Sequence, residues 1–200
     1  IQHIFSIVNN ILSKNSFCNS NSLSLNTYKV IPMGLSLGAI QWVENTKPLL
    51  LCMKESLAKI SPKNDPMLSA ISEKNKFVSK YKDWNSVLMK PSKSDSFLFI
   101  RSEFIKSLAT INIAHYLLGI GDRHLDNFLL ELNSGKLVGI DFGHAFGSAT
   151  QVLGVPELVP FRLTNQIENY LAPLGSNVLL RPIMINVLQG NSLFILSSSY

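Results

Sequence analysis

The chain has 200 residues, 46% of them hydrophobic and only 16% charged, enough apolar material for one substantial buried core. Its net charge of +5 is scattered, with no dense Lys/Arg run, so composition makes no case for direct nucleic-acid binding. Cys18 and Cys52 have neither metal-ligand spacing nor a disulfide framework, which points to a reducing compartment; no apolar run is long enough to span a bilayer, and no signal-peptide pattern is present.

Ile1, Ile4, Phe5, Val8, Ile11 and Leu12 recur at helical spacing and predict an amphipathic helix. Because the chain opens inside that helix, and with Ile-Gln-His rather than Met, it is expected to be a fragment of a longer protein. Residues 13–27 are rich in Ser and Asn and read as a loop. Tyr28–Ile31 is a short strand stopped by Pro32, and Ala39–Val43 a second, with Gly-Leu-Ser-Leu-Gly turning between them. Leu49–Ile60 reads as a helix broken by Ser61-Pro62. Residues 61–96 mix Lys, Ser, Asn and Pro with isolated apolar residues and suggest two short helices in a surface connection.

From Ser102 the pattern sharpens. Phe104, Ile105, Leu108, Ile111, His115 and Leu118 share one face of a helix that Gly119 ends. His115, on that apolar face, is expected to be a hydrogen-bonded core histidine. Asn127–Leu132 and Lys136–Ile140 read as a hairpin turning at Asn133-Ser134-Gly135. Residues 143–160 resemble a long functional loop, and two helices close the chain at about 164–172 and 177–189.

The chemistry concentrates in Gly-Ile-Gly-Asp-Arg-His-Leu-Asp-Asn (119–127) and Gly-Ile-Asp-Phe-Gly (139–143). Phosphoryl transfer needs metal ions to neutralise phosphate charge and a group that positions the nucleophile and accepts its proton. Asp122 precedes Asn127 by five positions, the offset of base and metal-binding Asn in kinase catalytic loops, and Asp141 opens Asp-Phe-Gly. A carboxylate and an amide oxygen are suitable hard ligands for Mg²⁺. The predicted hairpin would bring Asn127 and Asp141 to neighbouring strand ends. The order is Asp-Arg-His where protein kinases carry His-Arg-Asp. This places His124 inside the loop, where it would reach a phosphate oxygen or the hydroxyl nucleophile.

Gly-Asp-Arg-His-x-x-Asn followed by Ile-Asp-Phe-Gly resembles the phosphatidylinositol 3-kinase and related-kinase superfamily. Val159-Pro-Phe-Arg-Leu-Thr164 looks like the end of the activation segment in its protein-kinase branch. Residues 138–151, with Val155-Pro-Glu-Leu158, are similar to DNA-repair members of that branch, as are 28–33 and 40–46. The resemblance implies an α+β, two-lobed protein-kinase-like fold. Residues 1–46 would be the end of the N-lobe and the hinge. Residues 47–200 would be a mainly helical C-lobe, with the catalytic loop at 119–128 and the activation segment at 141–164.

It also implies ATP and Mg²⁺ as cofactors. Asp122 would be the catalytic aspartate, His124 a transition-state or substrate contact, and Asn127 and Asp141 the metal ligands. Trp42 and Val43 would form the adenine hinge, with Tyr28, Ile40, Leu129 and Ile140 lining the slot. The ATP-phosphate lysine and glycine-rich loop of the family would lie upstream, so the fragment alone is expected to be inactive. The same resemblance implies protein substrates, Ser or Thr followed by Gln, a nuclear location and a role in joining broken DNA ends. Those ends would be met indirectly, through an end-binding heterodimer and regions outside this chain, with no membrane involved.

A lipid kinase shares both motifs but needs basic residues in the activation segment to hold an inositol phosphate headgroup. Between Asp141 and Arg162 there is no Lys or Arg, and His144 is the one candidate cation. A protein substrate is therefore favoured over a phosphoinositide. Intact Asp122, Asn127 and Asp141 argue against the remaining alternative, a non-catalytic kinase-like scaffold.

Overall fold

The computed structural model describes residues 1–53, 94–152 and 159–197. Helix α1 (Gln2–Lys14) follows the predicted amphipathic pattern and buries Phe5 and Leu12. The Ser/Asn segment after it is not all loop. Asn15 caps a short helix α2 (Ser16–Ser20) by accepting the Cys18 amide at 3.0 Å, and Cys18 is buried. Asn is a strong N-cap, so the composition that reads as a loop here starts a helix.

Strands β1 (Val30–Pro32) and β2 (Gly38–Ile40) pair antiparallel as an isolated hairpin whose residues are all exposed. The second strand is shorter than expected and stops before Trp42 and Val43. A strand that the sequence does not suggest, β3 (Thr46–Pro48), pairs with β4 (Phe128–Glu131), which pairs in turn with β5 (Leu137–Gly139). Thr-Lys-Pro has no apolar alternation; only its partner strand makes it a strand. The predicted hairpin is observed with tighter ends, turning through Gly135 at φ +80°, where a Cβ would fall 2.8 Å from the Ile100 carbonyl oxygen. Residues 49–53 are helical, and the expectations for 54–93 lie outside the described residues.

The centre of the molecule is helix α3 (Ser94–Leu117), which begins earlier than predicted. Every residue from Glu103 to His115 except Lys106 is buried. A helix that is apolar nearly all round is covered all round. Its polar members bond inward: the Ser107 hydroxyl donates to Glu103 O at 2.8 Å and accepts the Leu137 amide at 2.9 Å, tying α3 to β5. Phe104, Leu108 and Ile111 pack with Phe5, Phe128, Leu130 and Leu171 in one core. A second cluster joins Leu12, Cys18, Leu23, Ile113 and Val187.

The long loop expected at 143–160 contains one turn of helix, α4 (Ala149–Val152), and 153–158 lie outside the described residues. The two closing helices are three: α5 (Asn165–Leu171), capped by the Thr164 hydroxyl, α6 (Gly175–Leu179) and α7 (Arg181–Ser197). Pro182 in the first turn of α7 starts a new helix at no cost in hydrogen bonds, which splits the stretch predicted as one. Among the described residues no helix is long and apolar enough to cross a membrane.

Candidate active site

The site is built where α3 stops. Gly119 takes φ +54° and the Ile120 amide bonds back to His115 O at 2.9 Å, closing the helix end. The chain from 118 to 121 then runs beside 144–147. Phe146 N donates to Leu118 O, Gly147 N to Gly119 O and Gly121 N to His144 O, each at 2.8 Å. A Cβ on Gly119 would sit 2.7 Å from Gly147 N, so only glycine allows this approach. The segment following Asp141 is thereby laced to the start of the loop that carries Asp122.

The pairing Phe128↔Gly139 sets Asn127 against Ile140, whose amide donates to Asn127 O at 3.0 Å. Asn127 and Asp141 thus come to neighbouring strand ends, as the hairpin predicts. Asn127 is not itself in the strand: residues Leu125–Asn127 form a 3₁₀ turn. Its amide nitrogen donates to Asp122 O at 2.7 Å, and no described residue donates to its Oδ1. The amide is therefore held with its nitrogen on the catalytic loop and its oxygen uncommitted. Asp141 is exposed and Asp122 half-buried, and both have left-handed backbones, φ +53° and +56°. Each such residue costs on the order of 1 kcal/mol and persists only where its surroundings impose it.

Arg123 holds the backbone on either side of them, and the sequence reading assigns it no role. Its side chain is 1% exposed. The guanidinium donates to Gly121 O at 2.6 Å, to Ile140 O at 3.0 Å and to Asp141 O, and lies 5.4 Å from the Phe142 ring centre. One cation therefore clamps the backbone on both sides of the site. An arginine between two candidate catalytic residues is the only sequence signal, and it reads equally well as a surface charge.

The donor set suits Mg²⁺. Among the described residues there is no cluster of three or more His, Cys, Asp or Glu fit to hold a metal. Mg²⁺ does not need one: it binds through one or two protein oxygens and fills its shell with water and substrate phosphates. The Asn127 Oδ1 and the exposed Asp141 carboxylate are such oxygens. His124 is half-exposed, its Nδ1 3.9 Å from Asp126 Oδ2.

The residues predicted to line a purine slot divide in two. Leu129 pairs with Val138, and Ile140 is two residues further, so Leu129 and Ile140 share one sheet face, away from Phe128 and Leu130 in the core. Tyr28 is held nearby, its amide donating to Gln2 Oε1 at 3.1 Å. Burial pushes its phenol pKa up, a hydrogen bond with Gln2 pulls it back, the Asp141 charge adds to the rise and the Arg123 charge offsets it. Ile40 and Trp42 are not covered: they are 70% and 83% exposed. Val43 is half-buried; its carbonyl accepts the Thr46 hydroxyl at 2.8 Å, and its N–H has no partner among the described residues.

His115 corrects an expectation. It is fully buried, but no described residue hydrogen-bonds either ring nitrogen. It is held by packing instead, with ring centres 5.6 Å from Phe128 and 6.2 Å from Phe142. Burial, reinforced by the Arg123 charge, lowers its pKa to about 3, so the ring is neutral at physiological pH.

An Asn at a strand end, an Asp-Phe-Gly loop and an Asp on the loop after α3 meet at one end of a small antiparallel sheet, in a kinase-like α+β fold. The chain belongs to the phosphatidylinositol 3- and 4-kinase family, whose model matches residues 1–190. It is similar to the DNA-dependent protein kinase catalytic subunit of Mus musculus, 38% identical over 226 residues. It is also similar to the serine/threonine-protein kinase TEL1 of Cryptococcus neoformans, 34% identical over 208 residues. Both alignments cover 94% of this chain but only 6% and 7% of those relatives' lengths. A solved structure of CtTel1 in its open conformation superposes with a TM-score of 0.71 at 27% identity, covering 94% of this chain and 8% of that one. The α+β kinase-like fold is thus shown in a relative as well as here.

Proposed function

We propose that this chain is the catalytic part of a Ser/Thr protein kinase that transfers the ATP γ-phosphate to protein hydroxyls. Residues 1–46 supply the end of the N-lobe and the hinge, and 47–200 the C-lobe. The observation that carries the reading is the Arg123 guanidinium, which donates to the carbonyls of Gly121, Ile140 and Asp141, while the Asn127 amide donates to the Asp122 carbonyl. Asp122 orients the substrate hydroxyl and accepts its proton as the oxygen attacks the γ-phosphorus and the bond to ADP breaks. His124 contacts the transferring phosphate. Asn127 Oδ1 and the Asp141 carboxylate would hold Mg²⁺, which would neutralise phosphate charge. Leu129, Ile140, Tyr28, Ile40 and Trp42 border the adenine, and the Val43 N–H pairs with the base.

The substrate is a protein because residues 142–161 contain no Lys or Arg to hold an inositol phosphate headgroup. Preference for Ser or Thr followed by Gln, a nuclear location and a role in end joining of DNA double-strand breaks rest on similarity to the DNA-dependent protein kinase and TEL1. DNA ends would then be sensed through an end-binding heterodimer and regions beyond this chain.

The test uses the full-length protein and its Asp141→Ala variant with ATP, Mg²⁺ and Ser-Gln peptides, and separately with phosphoinositide vesicles. Peptide phosphorylation that falls at least ~10²-fold in the variant supports the reading, since the metal's charge stabilisation amounts to several kcal/mol. Phosphorylation of vesicles but of no peptide overturns the substrate class. No transfer to either by the parent protein returns the reading to a scaffold.

A further inference from the structure

Between α2 and β1 the chain runs through residues 23–29 without forming a strand. Side chains of α1 supply the partners that a strand would have. The Asn9 amide nitrogen donates to Leu25 O at 2.8 Å, and its oxygen accepts the Leu25 amide at 2.7 Å. Asn9 thus meets both main-chain groups of one residue, as a paired residue on a neighbouring antiparallel strand does. The two bonds fix which end of the amide is which, since the reverse would set oxygen against oxygen. Seven residues earlier, on the same helix face, Gln2 Oε1 accepts the Tyr28 amide at 3.1 Å. From the other side the Asn26 side chain donates to Leu137 O at 2.8 Å, tying the segment to β5. The structure assigns Asn9 and Gln2 to positioning: through Leu25 and the Tyr28 backbone they set the Tyr28 ring at the nucleotide slot. The assignment rests on the reading given above, in which Tyr28 borders the adenine.

Helix α1 is a suitable reference for that ring. It is seated on the residue after Asp141: Phe5 meets the Phe142 ring edge-on, with centres 5.2 Å apart. Tyr28 is therefore tied to the helix that also packs against the Asp-Phe-Gly loop. The exposed β1–β2 hairpin takes hold only from Lys29, whose amide donates to Gln41 Oε1 at 2.9 Å and whose carbonyl accepts the Gln41 amide at 2.8 Å. Upstream of Lys29 the segment depends on α1 and β5. A ring that borders a base acts by contact, and a gap of about 0.5–1 Å forfeits a quarter to a half of each contact. A small displacement of Tyr28 thus weakens nucleotide binding without moving Asp122, Asn127 or Asp141. Its signature belongs in ATP affinity and not in turnover.

The test measures the Kd for ATP by calorimetry, and KM and kcat with a Ser-Gln peptide, on the full-length protein. Asn9→Leu keeps the size and the helix and removes both bonds to Leu25; Asn9→Asp keeps only the acceptor. Gln2→Met removes the bond to Tyr28 and covers the case in which Asn9→Leu does not fold. The expected result is a Kd and KM for ATP raised roughly five- to tenfold in Asn9→Leu and Gln2→Met, with a smaller rise in Asn9→Asp. The kcat and the peptide KM should stay within about twofold. In a Tyr28→Ala background, Asn9→Leu should change ATP affinity by less than about twofold, because its route to the base is gone. A role confined to folding would lower the active fraction, and so kcat, and leave the KM for ATP alone. That result overturns the assignment, as does an additive effect in the Tyr28→Ala background or an ATP affinity unchanged in both Asn9→Leu and Gln2→Met. If the parent binds ATP but phosphorylates no peptide, the protein-kinase reading fails and the Kd series alone decides the positioning. A parent that binds no ATP overturns both.

Discussion

Arg123→Met removes the guanidinium and keeps an apolar stem of similar length. Three carbonyls, of Gly121, Ile140 and Asp141, lose their donor at once. Hydrogen bonds to a charged group contribute about 1.5–3 kcal/mol each. These three share one cation and are not additive, and Asp141 at the surface regains water. Leaving the Gly121 and Ile140 carbonyls without a donor costs about 1–3 kcal/mol each, so about 3–4 kcal/mol is the expected loss here. The loss is local, because the clamp joins two loops rather than the core. It is read by hydrogen exchange and mass spectrometry on the full-length protein. Amides in 119–128 and 138–146 should exchange roughly 10²–10³-fold faster, while those of α7 are unchanged. Arg123→Lys, with one point charge in place of a fork, should fall between the two. If Arg123→Met leaves exchange in both segments within about threefold of the parent, the clamp does not hold the site together.

Gly119→Ala forces a Cβ to 2.7 Å from Gly147 N and into a left-handed backbone, so the 147–119 hydrogen bond should break. The expected cost is about 1–3 kcal/mol, read as faster limited proteolysis between 144 and 150. Ser107→Ala strips the acceptor from the buried Leu137 amide, and β5 should open more easily by about 1–3 kcal/mol, measured by exchange of that amide. His115 supplies a pH dependence. Its pKa is lowered to about 3 in the folded protein, so between there and the ordinary histidine value the unfolded chain binds the extra proton. Stability from this residue is complete above pH ~6.5 and falls as the pH drops, by up to about 1.4 kcal/mol per unit. In His115→Phe, denaturant melts between pH 4 and 7 should lose this component of the slope; an unchanged slope would remove His115 as its source.

The catalytic half of the site was legible in the sequence because its parts are local. Asp122 and Asn127 sit in one loop, and Asp141 is joined to them by a hairpin whose apolar alternation and Gly135 turn can be read directly. Helix α1 carries its own periodicity, and α3 is legible from its long apolar run ended by Gly119. What could not be read depends on partners far along the chain. β3 is a strand only because β4 lies beside it. Asn15 could begin a helix or lie in a loop, and the burial of Cys18 in the cluster with Val187 accompanies the helical choice.

Sequence alone determined which residues could bind a metal, move a proton and stand at a strand end, because those properties belong to residue type and short spacing. Only the tertiary structure decided what holds them. Arg123 has the same charge on a surface or in a core, and nothing in its neighbours tells which. Its role as a clamp exists only once residues 121 and 141 are folded to the same point. His115 shows the same limit: its helical face foretold burial, but whether a partner would meet its nitrogens depended on how the segment after Asp141 packed above it.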